Sequence, residues 1–251
     1  VLASTPDDYG NSLYFRGNVQ NNYVEFAGKC WRIVRVTGDC SIKLVLYNDN
    51  ANKLSNPCNA SNVNAAFARY SGTEYISAFS SDQNSNTYVG FMYGTPNSSS
   101  YAEEHANIND STILANLKKW YDLSFSTAQK EKLADTIWCG DKSTTDLGYD
   151  KKVSIYGAAK RKTSPSLICP NDNIGGNLSK YTAEVVVNGN GALNGYKIGL
   201  VTFDELLFAG AKYDTVNSSY YLYENASGSG WWSMSPFFSD YTRGTKVVRV
   251  Y

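Results

Sequence analysis

The chain of 251 residues is long enough to bury a substantial core as one large domain. Its 23 basic and 23 acidic residues cancel to a formal charge of zero, which argues against the basic footprint that a nucleic-acid-binding protein needs. No apolar run approaches the ~18 residues of a membrane-spanning helix, so we expect neither nucleic-acid binding nor a membrane span in this chain.

The polar surface of the protein is of an uncharged kind. Only 18% of the residues are charged, against about 25% in an average domain. Asn, Ser, Thr, Gly and 20 tyrosines supply the remaining polarity. Such surfaces are commoner in secreted and cell-surface proteins than in cytosolic enzymes, so the composition favours an extracellular or cell-surface location.

The first 49 residues are rich in strand patterns. Four runs contain mostly β-branched and aromatic residues: NSLYFRG (11–17), NNYVEF (21–26), CWRIVRV (30–36) and SIKLVLYND (41–49). In the last run Ile42, Leu44 and Leu46 share one face of the strand. We therefore predict an antiparallel β-meander with short turns at Gly28-Lys29 and Gly38-Asp39.

Residues 50–110 form a long polar stretch with islands of Tyr and Phe. An unstructured insert of this length inside a compact domain would be unusual. We therefore predict a loop-rich insert that is held against the core, with Cys58 as one attachment.

Helical signals follow over residues 111–140. Asp110 and Ser111 can cap a helix in which apolar residues recur at spacings of three and four: Ile113, Leu117, Trp120 and Tyr121. Ser126 or Thr127 can open a second helix that ends at Gly140. The pattern predicts a helical hairpin.

Residues 141–195 are again loop-like, with short strands predicted in KVSIYGA (152–158) and AEVVVNG (183–189). The run YKIGLVTFDELLFAGAK (196–212) predicts a strand and then a short helix. Thr202 and Glu205 form a capping box for this helix, and Gly210 ends it. The order of elements predicts a single α+β domain with small twisted antiparallel sheets, two or three helices and long loops.

The five cysteines indicate two disulfides. Cys30 and Cys40 would lie roughly 23 Å apart at ~3.3 Å per strand residue, whereas a disulfide needs Cα atoms within ~7 Å. We predict the pairs Cys30–Cys58 and Cys139–Cys169, with Cys40 as a free thiol at a turn. Each bridge closes a loop of about 30 residues, which is worth roughly 3–4 kcal/mol. The alternative is five reduced thiols in a cytosolic protein, and no Cys or His spacing is typical of a metal site.

Catalytic chemistry has few candidate residues. The single histidine, His105, follows Glu103 and Glu104, but it lies in the polar insert, and a surface or loop-packing role is the simpler interpretation. Asp204 and Glu205 are candidates for the paired carboxylates of a glycoside hydrolase, although the capping box already explains Glu205.

Two oxygen-rich triplets could bind calcium: Asn48-Asp49-Asn50 and Asn171-Asp172-Asn173. Neither matches the calcium-loop pattern with its distal glutamate. Asx turns are the simpler interpretation, so we expect no metal and no cofactor.

The sequence near the C-terminus concentrates bulky rings in GWWSMSPFFSDYTRG (230–244). Adjacent tryptophans on a strand face opposite sides, so one belongs to the core and the other points outward or under a loop. Rings held on a loop suit the C–H faces of sugars or the centre of a protein interface. We predict an aromatic ligand-binding loop with these residues: Trp231, Trp232, Phe237, Phe238, Tyr241 and Arg243. The alternative is that all of these rings fill the core.

Six segments distributed along the chain carry a resemblance: YFRGNVQNNYVEFAGKCWRIVRVTGD, YVGFMYGT, KLADTIWCGDKST, SLICP, KIGLVTFDELLFAGA and GWWSMSPFFSD. Together they resemble a family of surface or secreted proteins from gut Firmicutes, some of which carry a prepilin-like N-terminal segment. Residues 141–251 are similar to the C-type-lectin-like fold of formylglycine-generating-enzyme-type domains. The resemblance implies a further strand after VVRVY, so this part is expected to be truncated at its C-terminus.

The resemblance implies a fold rather than an activity. No cysteine follows Cys169, so the oxidase chemistry of formylglycine-generating enzymes is not expected, and the calcium-binding motifs of C-type lectins are absent. We hypothesise a non-enzymatic extracellular adhesion module of a Gram-positive gut bacterium, which binds a glycan or protein on host or neighbouring cells. The alternatives are a pilin-like filament subunit that associates with itself, and a carboxylate-based hydrolase.

Overall fold

A computed structural model of the chain describes residues 1–51, 53–59, 77–143, 153–170, 179–184, 191–223, 231–240 and 244–250. Small sheets and short helices alternate along it, which confirms the predicted α+β class. The N-terminal sheet contains five strands: β1 (Leu2–Asp7), β2 (Gly10–Phe15), β3 (Tyr23–Phe26), β4 (Lys29–Val36) and β5 (Ile42–Asn48).

Strand β4 lies at the centre of the N-terminal sheet. It pairs with β5 along one side, while β3 and β2 pair with successive parts of its other side, and β1 forms a hairpin with β2. The four predicted strands are confirmed, but the simple meander is wrong because β2 pairs with β4 and not with β3. The chain leaves the sheet after β2, where the Gly17 amide donates to the Ala209 carbonyl. Strand β1 was not predicted. Its residues mostly alternate between exposed and half-exposed, so they do not show the apolar–polar pattern of a strand with one buried face.

Both faces of the N-terminal sheet are covered. On one face Leu46 packs in a cluster with Trp31, Tyr121 and Phe125. On the other face Val45 packs against a second cluster of buried residues: Val19, Val201, Leu206, Ala209, Tyr220, Tyr221 and Leu222. The alternation predicted for residues 42–47 therefore places apolar side chains in two different cores.

The described residues contain five α-helices, of which two have more than four residues: α1 (Tyr101–Glu104), α2 (Thr112–Ser124), α3 (Thr127–Lys130), α4 (Gly157–Lys160) and α5 (Phe203–Ala209). The predicted caps are confirmed. Ser111 accepts a hydrogen bond from the Leu114 amide at the start of α2, and Thr202 and Glu205 form the capping box of α5.

The second helix of the predicted hairpin is wrong beyond its first turn. Helix α3 ends at Lys130, and residues Trp138–Cys139 form strand β8, which pairs with Lys180 and Tyr181. The Ile137 amide also donates to the Tyr9 hydroxyl. These partners are distant in sequence, and together with a disulfide at Cys139 they hold the segment extended.

Three small sheets complete the described fold. Strand β6 (Met92–Tyr93) pairs with β7 (Asn109–Asp110), and β8 joins β10 (Lys180–Thr182) and β11 (Gly191–Ala192). The C-terminal sheet consists of β9 (Val153–Ile155), β12 (Trp231–Asp240) and β13 (Gly244–Val250), with β12 in the middle.

The two short strands predicted within residues 141–195 have different outcomes. The strand in KVSIYGA is confirmed as β9, whereas most of AEVVVNG lies outside the described residues. The strand predicted before α5 is wrong: residues 196–201 join no sheet in the described part of the chain. The Val201 carbonyl there accepts a hydrogen bond from the Met234 amide. No helix among the described residues has the length and apolar character needed to cross a membrane.

Candidate functional site

The disulfides form the pairs predicted from the sequence. Cys30 pairs with Cys58 at a Cα–Cα distance of 5.0 Å, and Cys139 pairs with Cys169 at 5.5 Å. Cys40 is an exposed free thiol at the tip of the β4–β5 hairpin, where its φ is 67°. The pairing is thus confirmed, and it fixes the N-terminal sheet and the β8 segment covalently.

The late aromatic residues lie on a strand and not on the predicted loop. Both Trp232 and Phe237 belong to β12. Trp232 is half-buried, donates from Nε1 to the Ser77 carbonyl, and packs edge-on against Phe79. Met234 lies in the same core cluster as Phe79, and Trp232 packs against that cluster. This face of β12 therefore belongs largely to the core.

Phe237 lies on the opposite face of β12 and forms a different aromatic group. Its ring stacks on Tyr213, with centroids 5.7 Å apart and planes at 23°, and meets Phe203 edge-on at 6.4 Å. Lys162 Nζ lies 4.5 Å from the centre of the Tyr213 ring. Phe237 and Tyr213 are half-buried and Lys162 is exposed. We call Phe237, Tyr213 and Lys162 the Phe237 surface.

Only part of the predicted site can be compared with the structure. The side chains of Trp231 and Phe238, and the residues Tyr241 and Arg243, lie outside the described part of the chain. The structure describes the side chains of two residues of the predicted site, Trp232 and Phe237, and these two do not contact each other. Sequence reasoning missed Tyr213 and Lys162, for which the only local signal is a basic run at 160–162 beside an otherwise polar loop.

A largely buried ion-pair cluster is centred on the residue next to Lys162 in sequence. Arg161, next to Lys162, donates to Asp204 at 2.9 and 2.8 Å and to Asp141 at 2.5 Å. Burial raises the pKa of Asp141 and outweighs the opposing effect of Arg161. The two carboxylates thus converge, but the guanidinium lies between them, where a hydrolase would bind its substrate. Their arrangement is that of an ion-pair cluster.

Glu205 belongs to a second buried cluster. Its carboxylate accepts from Arg35 Nε at 2.9 Å and from Lys43 Nζ at 2.7 Å, and Arg35 also pairs with Asp7. Although burial opposes ionisation, the Lys43 and Arg35 charges lower the pKa of Glu205 to about 2. The side chain also accepts from the Thr202 amide as part of the capping box. Glu205 therefore joins helix α5 to the N-terminal sheet.

His105 is completely buried, so its role is loop packing and not exposure at the surface. Burial, and then the nearby Lys142 charge, lower its pKa well below the ordinary value. Glu104 accepts a hydrogen bond from Thr87. Lys142 is also fully buried, and its Nζ donates to the Met92 and His105 carbonyls and to Asn107 Oδ1.

The first oxygen-rich triplet forms turns. The side chains of Asn48, Asp49 and Asn50 accept from the amides of Asn50, Ala51 and Leu54, respectively. The second triplet, 171–173, lies outside the described residues. Within the described part of the chain, no group of three or more His, Cys, Asp or Glu side chains is placed to hold a metal ion.

Comparison of the chain with protein-family models, with curated proteins and with solved structures finds no match. The function is therefore argued from the geometry of the described residues.

Proposed function

We propose that this chain is a non-enzymatic binding module, located extracellularly or at the cell surface, and that it recognises a glycan or protein through the Phe237 surface. The observation that carries the proposal is the stacked pair of Phe237 and Tyr213, which is half-exposed and has the ammonium of Lys162 over one ring. Aromatic rings that are packed on one side and accessible on the other are typical anchors of binding sites.

The chemistry of the Phe237 surface suits a ligand with both apolar and polar groups. The two rings offer apolar area to the C–H face of a sugar or to an apolar side chain. Among the described residues no carboxylate pairs with Lys162, so its ammonium can donate to a ligand oxygen. Phe203 packs against the Phe237 ring, and two ion pairs fix Arg161, the neighbour of Lys162. This fixed arrangement reduces the ordering cost of binding.

Two further observations support the proposed location. The chain has two disulfides and an uncharged polar composition, both of which are common in extracellular proteins. The resemblance to surface proteins of gut Firmicutes supports the same proposal, and the C-type-lectin-like architecture of residues 141–251 stays a prediction.

The proposal is tested by the variants Tyr213→Ala and Phe237→Ala on a glycan array and in pull-downs from gut bacterial and epithelial cell surfaces. We expect binding to fall at least about fivefold, because each change removes a ring that carries more than about 1 kcal/mol of contact energy. Lys162→Gln is expected to weaken binding less than either ring variant does. Its effect should be larger at low salt than at high salt, because salt screens the charge of Lys162.

Tyr14→Ala is the matched control, since Tyr14 is also half-buried and its ring also packs on one neighbour, Phe208, at 4.8 Å. Equal loss of binding in the control and in Tyr213→Ala would show general unfolding, and unchanged binding in Tyr213→Ala would refute the site. Light scattering of the purified protein tests the filament alternative, which requires assembly at high concentration.

A further inference from the structure

The amine of Lys142 meets a side-chain amide in the protein interior. Lys142 is 0% exposed and Asn107 is 4% exposed. Lys142 Nζ lies 2.9 Å from Asn107 Oδ1, and the two residues are 35 positions apart in sequence. Water is excluded from both groups, so neither hydrolysis nor solvation competes with a reaction between them.

The surrounding backbone fixes the position and direction of Lys142 Nζ. The Met92 carbonyl lies 2.5 Å from the nitrogen and the His105 carbonyl lies 2.8 Å from it. The third donor of Nζ points at Asn107 Oδ1. Once Nζ has lost one proton, the two carbonyls hold its remaining N–H groups and the lone pair faces the Asn107 carboxamide, whose Cγ it must reach.

We propose that Lys142 and Asn107 become joined by an intramolecular isopeptide bond. A bond forms between Lys142 Nζ and Asn107 Cγ, and the bond between Cγ and Nδ2 of Asn107 breaks. Two protons pass from the lysine ammonium to the leaving nitrogen, which departs as ammonium. The charge and the atoms balance, and no oxidant or further reactant is required.

The reaction needs a group that takes the first proton from Nζ. His105 lies in the same buried cluster, and its backbone carbonyl accepts from Lys142 Nζ at 2.8 Å. Its imidazole is a weak base there, because burial and the Lys142 charge lower its pKa well below the ordinary value. Glu104, the adjacent residue, supplies a buried carboxylate that can accept the proton.

The bond would give the chain a third covalent link. It would connect the segment between β6 and α2 to the residues that follow Cys139, whose own disulfide lies three positions before Lys142. The inference is independent of the Phe237 surface, since it concerns a reaction within the chain and needs no ligand.

The test is the intact mass of the purified wild-type protein after complete reduction of its disulfides. We expect a mass about 17 Da below that calculated from the sequence, because one ammonia is lost. Digestion followed by tandem mass spectrometry is expected to give one branched peptide that contains both Asn107 and Lys142. The unmodified mass would overturn the proposal.

Cyclisation of Asn107 to a succinimide also releases ammonia, so a second variant is needed. Lys142→Met preserves most of the side-chain volume but lacks the amine, and we expect it to have the full calculated mass. If the loss persists in Lys142→Met, the modification is a succinimide and the proposed bond is excluded. The wild-type branched peptide decides the matter even if Lys142→Met fails to fold.

Discussion

Replacing Glu205 by glutamine removes one charge from the buried cluster that links helix α5 to the N-terminal sheet. The substitution keeps the size of the side chain, and the amide oxygen can still accept from the Thr202 amide in the capping box. The Arg35 and Lys43 side chains are each 10% exposed. Arg35 keeps Asp7 as a partner, but Lys43 loses the carboxylate 2.7 Å from its Nζ.

The size of the effect follows from two independent arguments. Removing one member of a buried ion pair costs about 3–5 kcal/mol, because the other charge stays buried and uncompensated. The pKa of Glu205 falls from an ordinary 4.5 to about 2, and a shift of that size corresponds to about 3 kcal/mol at pH 7. We therefore expect Glu205→Gln to lower the free energy of unfolding by about 3 kcal/mol.

The same shift gives the loss a pH dependence. The pKa of Glu205 is lower in the folded protein than in the unfolded chain, so the wild-type carboxylate stabilises the fold above pH 4.5. That contribution disappears as the pH falls from 4.5 towards 2, where the folded carboxyl also takes up its proton. The difference between wild type and Glu205→Gln should therefore shrink on acidification.

Urea unfolding of both proteins at pH 7 and at about pH 3 measures the difference directly. Glu131→Gln is the matched control, because Glu131 is exposed, and we expect it to lie within about 0.5 kcal/mol of wild type. A Glu205→Gln loss below about 1 kcal/mol at pH 7, or a loss of equal size at both pH values, would refute the reasoning.

Three further changes test the scaffold by unfolding in urea. Cys58→Ser is expected to lower the free energy of unfolding by about 3 kcal/mol, because it opens a bridge across 28 positions. Cys40→Ser should change it by less than about 0.5 kcal/mol, since this thiol is exposed, and an equal effect of both would contradict the pairing. Ser111→Ala should cost about 1 kcal/mol, because the Leu114 amide at the start of α2 loses its acceptor, and no change would show that the cap contributes nothing.

The features that were predictable from sequence are those set by local chemistry. Ser111 caps α2 because its hydroxyl is a few atoms from the amide it accepts from, and the same holds for Thr202 and α5. Strand geometry also argued against the pair Cys30–Cys40, because a hairpin places these two residues too far apart, but it did not by itself select the two pairs that form. In each case the deciding groups are near in sequence or are fixed by one strand.

The features that were missed depend on contacts between distant segments. Residues 127–140 contain good helix formers, yet Trp138 and Cys139 form a strand because β10 supplies their hydrogen-bond partners. The Phe237 surface is assembled from three separate segments, so the aromatic run alone could not identify Tyr213 or Lys162 as neighbours. The burial of Lys142 also depends on acceptors that come from residues 92–107.

A comparison of Lys162 with two largely buried arginines gives a reason to place binding at the Phe237 surface. Arg35 and Arg161, which lie largely inside, each contact two carboxylates, so their charges are neutralised within the fold. Lys162 differs from them, because it is exposed and its described contact is the neutral ring of Tyr213. A cation over an aromatic face retains most of its capacity to attract an anionic or hydroxyl oxygen. The Arg161 cluster therefore fixes the backbone beside Lys162 without using its charge, which leaves that charge and the two adjoining rings for a ligand.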